Sequence, residues 1–250
     1  MALALAVAFT AVALTAAAPR AARAEETHCR GIQWSFPALE RADAGKRLRF
    51  IRDSLTRDAS RMRIWREAWI GIYGAVTVAN GIGLALSNNT TDYIDWGLGV
   101  GSSAVGLITV LIPRKVLHDS RWLSRRIGDA PPGTDVCELV AEAERVLIAD
   151  AHDEAFTTSP LAHAGSFLFN LGIAVSLIAI GHLDEALMHG FVGLVVGEVQ
   201  IDTMPTGAVK ALRNYRLGLL DGAPKPPPVA WSILPSAAQG RYTINFALAF

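Results

Sequence analysis

Three side chains in the stretch "GHLDEALMHGFVGLVVGEVQIDTMP" have the types and spacing of metal ligands: His182, Glu185 and His189. At 100° per residue they fall within about 60° of one another, so two imidazoles and a carboxylate share one helical face. A metal-dependent membrane enzyme is one expectation from that face. The plainer one is an interfacial polar cluster at the start of a helix. Glu198 and Asp202, four apart on the opposite face, carry a different chemistry. Glu198 lies inside an apolar run, where an acid is costly and by default marks an ion or proton path. The bland alternative is a side chain close enough to the end of the run to reach water. Asn80 and Asn170 complete the candidate intramembrane polar site and are expected to hydrogen-bond between helices, at about 1 kcal/mol or less each.

Signatures of enzymes are missing. The chain has no Gly-x-Ser-x-Gly, His-Glu-x-x-His, phosphate-cradling glycine loop or Cys-x-x-Cys. "GLGVG" (Gly97–Gly101) matches part of a dinucleotide fingerprint, but no strand precedes it. A non-enzyme without a cofactor is therefore the expectation.

The elements that must position these residues are apolar. Of 250 residues, 51% are hydrophobic and 18% charged, against about 25% charged in soluble domains. Lys+Arg and Asp+Glu are equal at 23 each, which gives no reason to expect a nucleic acid or other polyanion as partner. Trp69–Ser87, Trp96–Ile112, Ala164–Ile180 and Leu187–Met204 approach the roughly 20 apolar residues that a bilayer requires. Trp65, Trp69, Tyr93, Trp96 and Trp122 stand near their ends, as in an interfacial belt. The links Asn88–Asp95 and His182–Ala186 hold no Lys or Arg, whereas basic residues crowd Arg30–Arg66, Arg114–Arg126 and Lys210–Arg216.

The expected fold is thus an all-α membrane protein with four transmembrane helices in two hairpins. Amphipathic helices lie on the basic side, and a short strand or hairpin ends the chain. The segments are a cleaved signal over 1–24, a basic amphipathic helix over 25–68, hairpins over 69–113 and 164–205, and an extramembrane helical segment over 114–163. A basic, then Pro-rich tail over 206–250 carries the strand. The hairpins read as a duplication: Gly101 and Pro113 recur as Gly193 and Pro205, 92 residues on, and Asn80 and Asn170 each stand near a Gly-Ile pair.

Small residues are expected to line the helix contacts in lipid. On the first span these are Gly71, Ala75, Ala79 and Gly83; on the fourth, Gly190, Gly193 and Gly197. Cys29 and Cys137 introduce the two amphipathic regions and form the disulfide candidate.

Orientation is contested within the sequence. The Ala22-Arg23-Ala24 cleavage site, the even cysteine count and the terminal strand favour an exterior head. The basic bias opposes it. The terminal "GRYTINFALAF" alternates with period two after a Pro-rich spacer and reads as a docking strand for an envelope partner. With the bilayer, that strand and self-association supply the expected partners. A structural or interaction protein of the bacterial envelope is the leading reading, ahead of a small transporter using Glu198 and Asp202.

Overall fold

The computed structural model describes residues 29, 37–39, 41–221, 230–238 and 241–249. The expected signal over 1–24 and the Pro-rich spacer over 222–229 lie outside the described residues. Among the described residues up to 221 the body is helical, with a 3-10 turn Pro37–Leu39 and seven α-helices. These are α1 (Ala44–Leu86), α2 (Thr90–Leu111), α3 (Lys115–Gly128), α4 (Val136–Thr157), α5 (Pro160–Ala179), α6 (Leu183–Asp202) and α7 (Gly207–Arg216).

Helix α1 changes character along its length. Asp43 caps it by accepting from the Lys46 amide at 2.8 Å. Its buried residues then recur every three or four positions from Ala44 through Ile51, Leu55, Met62, Trp65 and Trp69 to Tyr73, where the stripe ends. Beyond Tyr73 the helix carries exposed Val78, Ile82 and Leu86. The amphipathic segment and first span expected as separate pieces are therefore one helix. "RIWREAWI" offers no proline or glycine to break it. At 1.5 Å per residue its 43 residues extend about 65 Å.

Three helical stretches are long and apolar enough to cross a membrane, within Ala44–Leu86, Thr90–Gly128 and Val136–Ala179. Only 11%, 17% and 11% of the most apolar window in each is buried. Helix α6 is less apolar, because it carries Asp184, Glu185, Glu198 and Asp202.

Two helical hairpins grow from this plan. α1 and α2 join through Ser87–Asn89, where the Asn89 side chain caps α2 by accepting from the Asp92 amide at 2.9 Å. α5 and α6 join through a Schellman turn: the Gly181 amide donates to the Ile178 carbonyl and the His182 amide to the Leu177 carbonyl. Gly181 sits at φ 87°, the left-handed conformation that this turn requires.

The remaining helices form a head. The first half of α1 packs with α3, α4 and α7 around Ile51, Leu55, Met62, Leu123, Val140, Leu147 and Tyr215. Cys29 and Cys137 are joined as a disulfide, with Cα atoms 5.3 Å apart and the residues 108 positions apart in sequence. Beneath that bond Arg47, 2% exposed, donates to the Cys29 carbonyl, the Tyr215 hydroxyl and the Glu144 carboxylate. Tyr215 also donates to Glu144. Four separate chain segments meet at this hub.

Candidate functional site

The hairpins are held by a ladder of large or polar side chains seated on glycines. In the first, Trp96 covers Gly83, Asn80 covers Gly99 and Tyr73 covers Gly106. Between the last two, Thr77 Oγ1 donates to Ser103 Oγ at 2.9 Å. In the second, Ala174 faces Gly190, Asn170 covers Gly193 and Ser166 covers Gly197. A Cβ on Gly193 would stand 2.1 Å from Asn170 Oδ1. Asn80 and Asn170 thus hold equivalent places, each filling the space left by a glycine on the facing helix. Gly190, Gly193 and Gly197 lie at the contact between α5 and α6. On α1 the contact face is Tyr73, Thr77, Asn80 and Gly83, while Gly71, Ala75 and Ala79 turn outward. Gly71 has open space where a Cβ would go.

The titratable candidates separate into pairs. His182 Nδ1 lies 3.7 Å from Glu185 Oε1 at the tip of the second hairpin. The His189 imidazole turns to the other hairpin, with Nε2 2.5 Å from Asp95 Oδ1. Among the described residues no group of three His, Cys, Asp or Glu is placed to hold a metal ion. At the opposite end of α6, Glu198 Oε2 lies 2.5 Å from His163 Nδ1, and Asp202 closes the helix. Glu198 and Asp202 therefore stand toward the head, and His182 and Glu185 toward the tips.

Contacts between the hairpins are sparse and polar. Besides Asp95–His189, Tyr73 donates to Gln200 Oε1 at 2.7 Å. Trp65 and Trp69 donate their indole N–H groups to Thr203 Oγ1 at 3.2 and 3.4 Å.

A second constellation, absent from the expectations, lies in the head. Asp58 of α1, Asp119 of α3, and Asp150 and Glu154 of α4 are all buried. Asp58 Oδ1 accepts from the Gly207 amide at 3.1 Å, and Glu154 Oε2 from the Val209 amide at 3.0 Å. These two carboxyls cap α7, whose own Thr206 makes no side-chain cap. The approach is so close that a Cβ on Gly207 would stand 2.1 Å from Asp58 Oδ1.

Burial, then the hydrogen bond and charge of Asp58, push Glu154 up to about 9. Asp150, raised first by burial and then by the charge of Asp119, reaches about 8. Asp119 is the ionised member: burial works against its charge, but hydrogen bonds from Lys115 and His118 hold its pKa below the usual value. Near neutral pH the cluster therefore holds protons on Asp150 and Glu154. Each of those residues is no more than 2% exposed, enclosed by the packing of α1, α3, α4 and α7.

A sequence signal for this cluster existed. Asp150 and Glu154 continue the buried stripe Leu139, Val140, Ala143, Leu147 of α4, and Asp58 fills the gap between Leu55 and Met62. Acids on the apolar face of an amphipathic helix mark burial with a partner.

No protein-family model matches this chain, and neither the curated proteins nor the solved structures provide a match.

Proposed function

We propose that this chain is a non-enzymatic integral membrane protein of the bacterial envelope, with a structural or interaction role. In this reading α6 is a fourth span beside α5, and the two hairpins stand in lipid above a head kept on one side. The observation that carries it is the contrast between apolar and polar groups along the spans. Val78, Leu168, Leu187 and Phe191 point outward with no cover, whereas Glu198 and Asp95 each meet a histidine within the chain and Asn80 and Asn170 are packed against glycines of the facing helix. Surfaces of that kind suit contact with lipid or with other helices.

The C-terminal segment supports the interaction role. β1 (Ala230–Ala238) pairs antiparallel with β2 (Arg241–Ala249), from Ala230 opposite Ala249 to Ala238 opposite Arg241. A two-stranded ribbon keeps open edges, and an open edge accepts another strand. We read this ribbon, behind its Pro-rich spacer, as the docking element for an envelope partner or a second copy.

A photo-crosslinking residue at Phe191 and another at Thr243 test the proposal in native membranes. Defined protein adducts at either position support it; adducts to lipid alone at both oppose an interaction role. The transport reading has its own observation, the Glu198–His163 pair inside α5–α6. Proteoliposomes decide it: a proton or cation flux lost in Glu198→Gln replaces the structural reading with transport.

A further inference from the structure

A cleft of about 480 Å³ opens between α1 and α3 on the head. Its lining includes the guanidinium groups of Arg63, Arg121 and Arg125 and the hydroxyls of Ser60, Ser120 and Ser124, with no Asp or Glu. Arg121 and Arg125 are four apart on α3 and share a face, and Arg63 comes from α1.

Among the described residues some arginines of the head are paired and others, such as Arg49, Arg61 and Arg145, are not, so what sets the cleft apart is three guanidinium-bearing residues on one lining without an acid. Arg47 is committed to Glu144, Arg126 to Glu142, and Arg66 to the Val110 and Leu111 carbonyls. Arg63 and Arg125 have no hydrogen bond or ion pair from their side chains among the described residues. Arg121 spends only its Nε, on the Leu117 carbonyl at 2.9 Å, which leaves both Nη groups to point elsewhere. Three cations without an acid between them repel one another, and an anion in the cleft would remove that cost.

The floor of the cleft adds a second, independent observation. Ser120 is 6% exposed and lines the cleft, and its hydroxyl makes no hydrogen bond within the protein among the described residues. Ser60 and Ser124 instead return their hydroxyl protons to the Thr56 and Ser120 carbonyls. The Ser120 hydroxyl is thus the one of the three left to donate into the cleft.

We infer that this cleft binds a phosphate-bearing anion. The guanidinium forks of Arg63, Arg121 and Arg125 grip the phosphoryl oxygens, and the Ser120 hydroxyl donates from below. Arginine forks match phosphate geometry with paired N–H donors, which a lysine cannot do. Two sources offer this chemistry. Arg63 precedes Trp69, where α1 enters its apolar half, by six residues, a rise of about 9 Å. That places the cleft within reach of lipid headgroups, and the half-exposed Trp122 lies beside it on α3. A soluble phosphate ester offers the same oxygens.

The full chain in nanodiscs distinguishes the two. Native mass spectrometry counts phosphatidylglycerol retained from discs of 30% phosphatidylglycerol in phosphatidylcholine. Calorimetry in pure phosphatidylcholine discs measures pyrophosphate binding. The expected result is a retained lipid, a pyrophosphate isotherm, or both, weakened at least tenfold by Arg121→Gln/Arg125→Gln and by Arg63→Gln, and several-fold by Ser120→Ala. Retention without an isotherm assigns the site to headgroups, and the reverse assigns it to a soluble ester. Ser120→Ala and Arg63→Gln are single changes, so the test survives if the double variant folds poorly, and thermal unfolding checks each. Binding that stays within threefold of the parent in every folded variant overturns the proposal.

Discussion

The head and the two helical hairpins are held together in opposite ways. In the head, distant segments are fastened by specific groups: the disulfide, the Arg47–Glu144–Tyr215 hub, and carboxyls that cap α7. In the hairpins, each helix pair is zipped along its length by side chains resting on glycine, and the pairs meet each other at a few polar points. Water supplies a hydrophobic drive that assembles the head. Lipid does not, so the hairpins depend on close backbone approach instead. Removing a fastener should therefore harm the head most, and adding a methyl group should harm the hairpins most.

The largest effect is expected from Cys29→Ser/Cys137→Ser. A loop of about 100 residues freed in the unfolded state costs roughly 4–5 kcal/mol by chain entropy. Denaturant unfolding of the head measures this, while carbonate extraction should show the variant still in the membrane. Equal loss of both would erase the distinction between the regions.

Next is the dependence of head stability on pH. Asp150 and Glu154 have folded-state pKa values raised to about 8 and about 9. The folded head binds more protons than the unfolded chain above the ordinary carboxylate range. Their contribution is fully present below that range and is lost as pH rises through about 8 and 9. Asp119, held low, runs the other way and matters only under strongly acid conditions. Thermal melts from pH 5 to 10 should fall steadily, and Asp150→Asn/Glu154→Gln should flatten that fall. An unchanged slope would remove the cluster from the account.

A smaller effect comes from one methyl group in the second hairpin. Gly193→Ala forces a Cβ onto Asn170 and should cost about 1–3 kcal/mol of hairpin stability. Gly71→Ala, which meets open space, should cost less than about 0.5 kcal/mol. Steric trapping of α5 and α6 and of α1 and α2 compares them. The smallest is His189→Ala, which cuts the link to Asp95 and should cost about 1 kcal/mol or less, read as easier separation of the hairpins.

Much of this plan was legible in the residues. Three of the four apolar runs coincide with helices long and apolar enough to cross a membrane, and the positions of Cys29 and Cys137 ahead of the amphipathic regions pointed to their bond. Other features depend on geometry that spacing alone does not carry. Gly71, Ala75 and Ala79 have the right interval for a contact face, yet Tyr73 and Trp96 need glycines opposite them, and that need sets the rotation of α1 against α2. Asp58, Asp150 and Glu154 look like surface acids one at a time. Their burial follows only once three helices converge and α7 brings two free amides to them. His189 shares a face with His182 and Glu185, but a carboxylate from the neighbouring hairpin is nearer to it than either.

The central claim is that two complete hairpins rise from one head. Single cysteines at Asn88, Gly181, Asp129 and Leu217, labelled with a membrane-impermeant maleimide in sealed vesicles, test it directly. The account predicts that Asn88 and Gly181 react from one side, and Asp129 and Leu217 from the other. Labelling of Leu217 on the same side as Gly181 would mean that α6 does not cross, and would contradict the account.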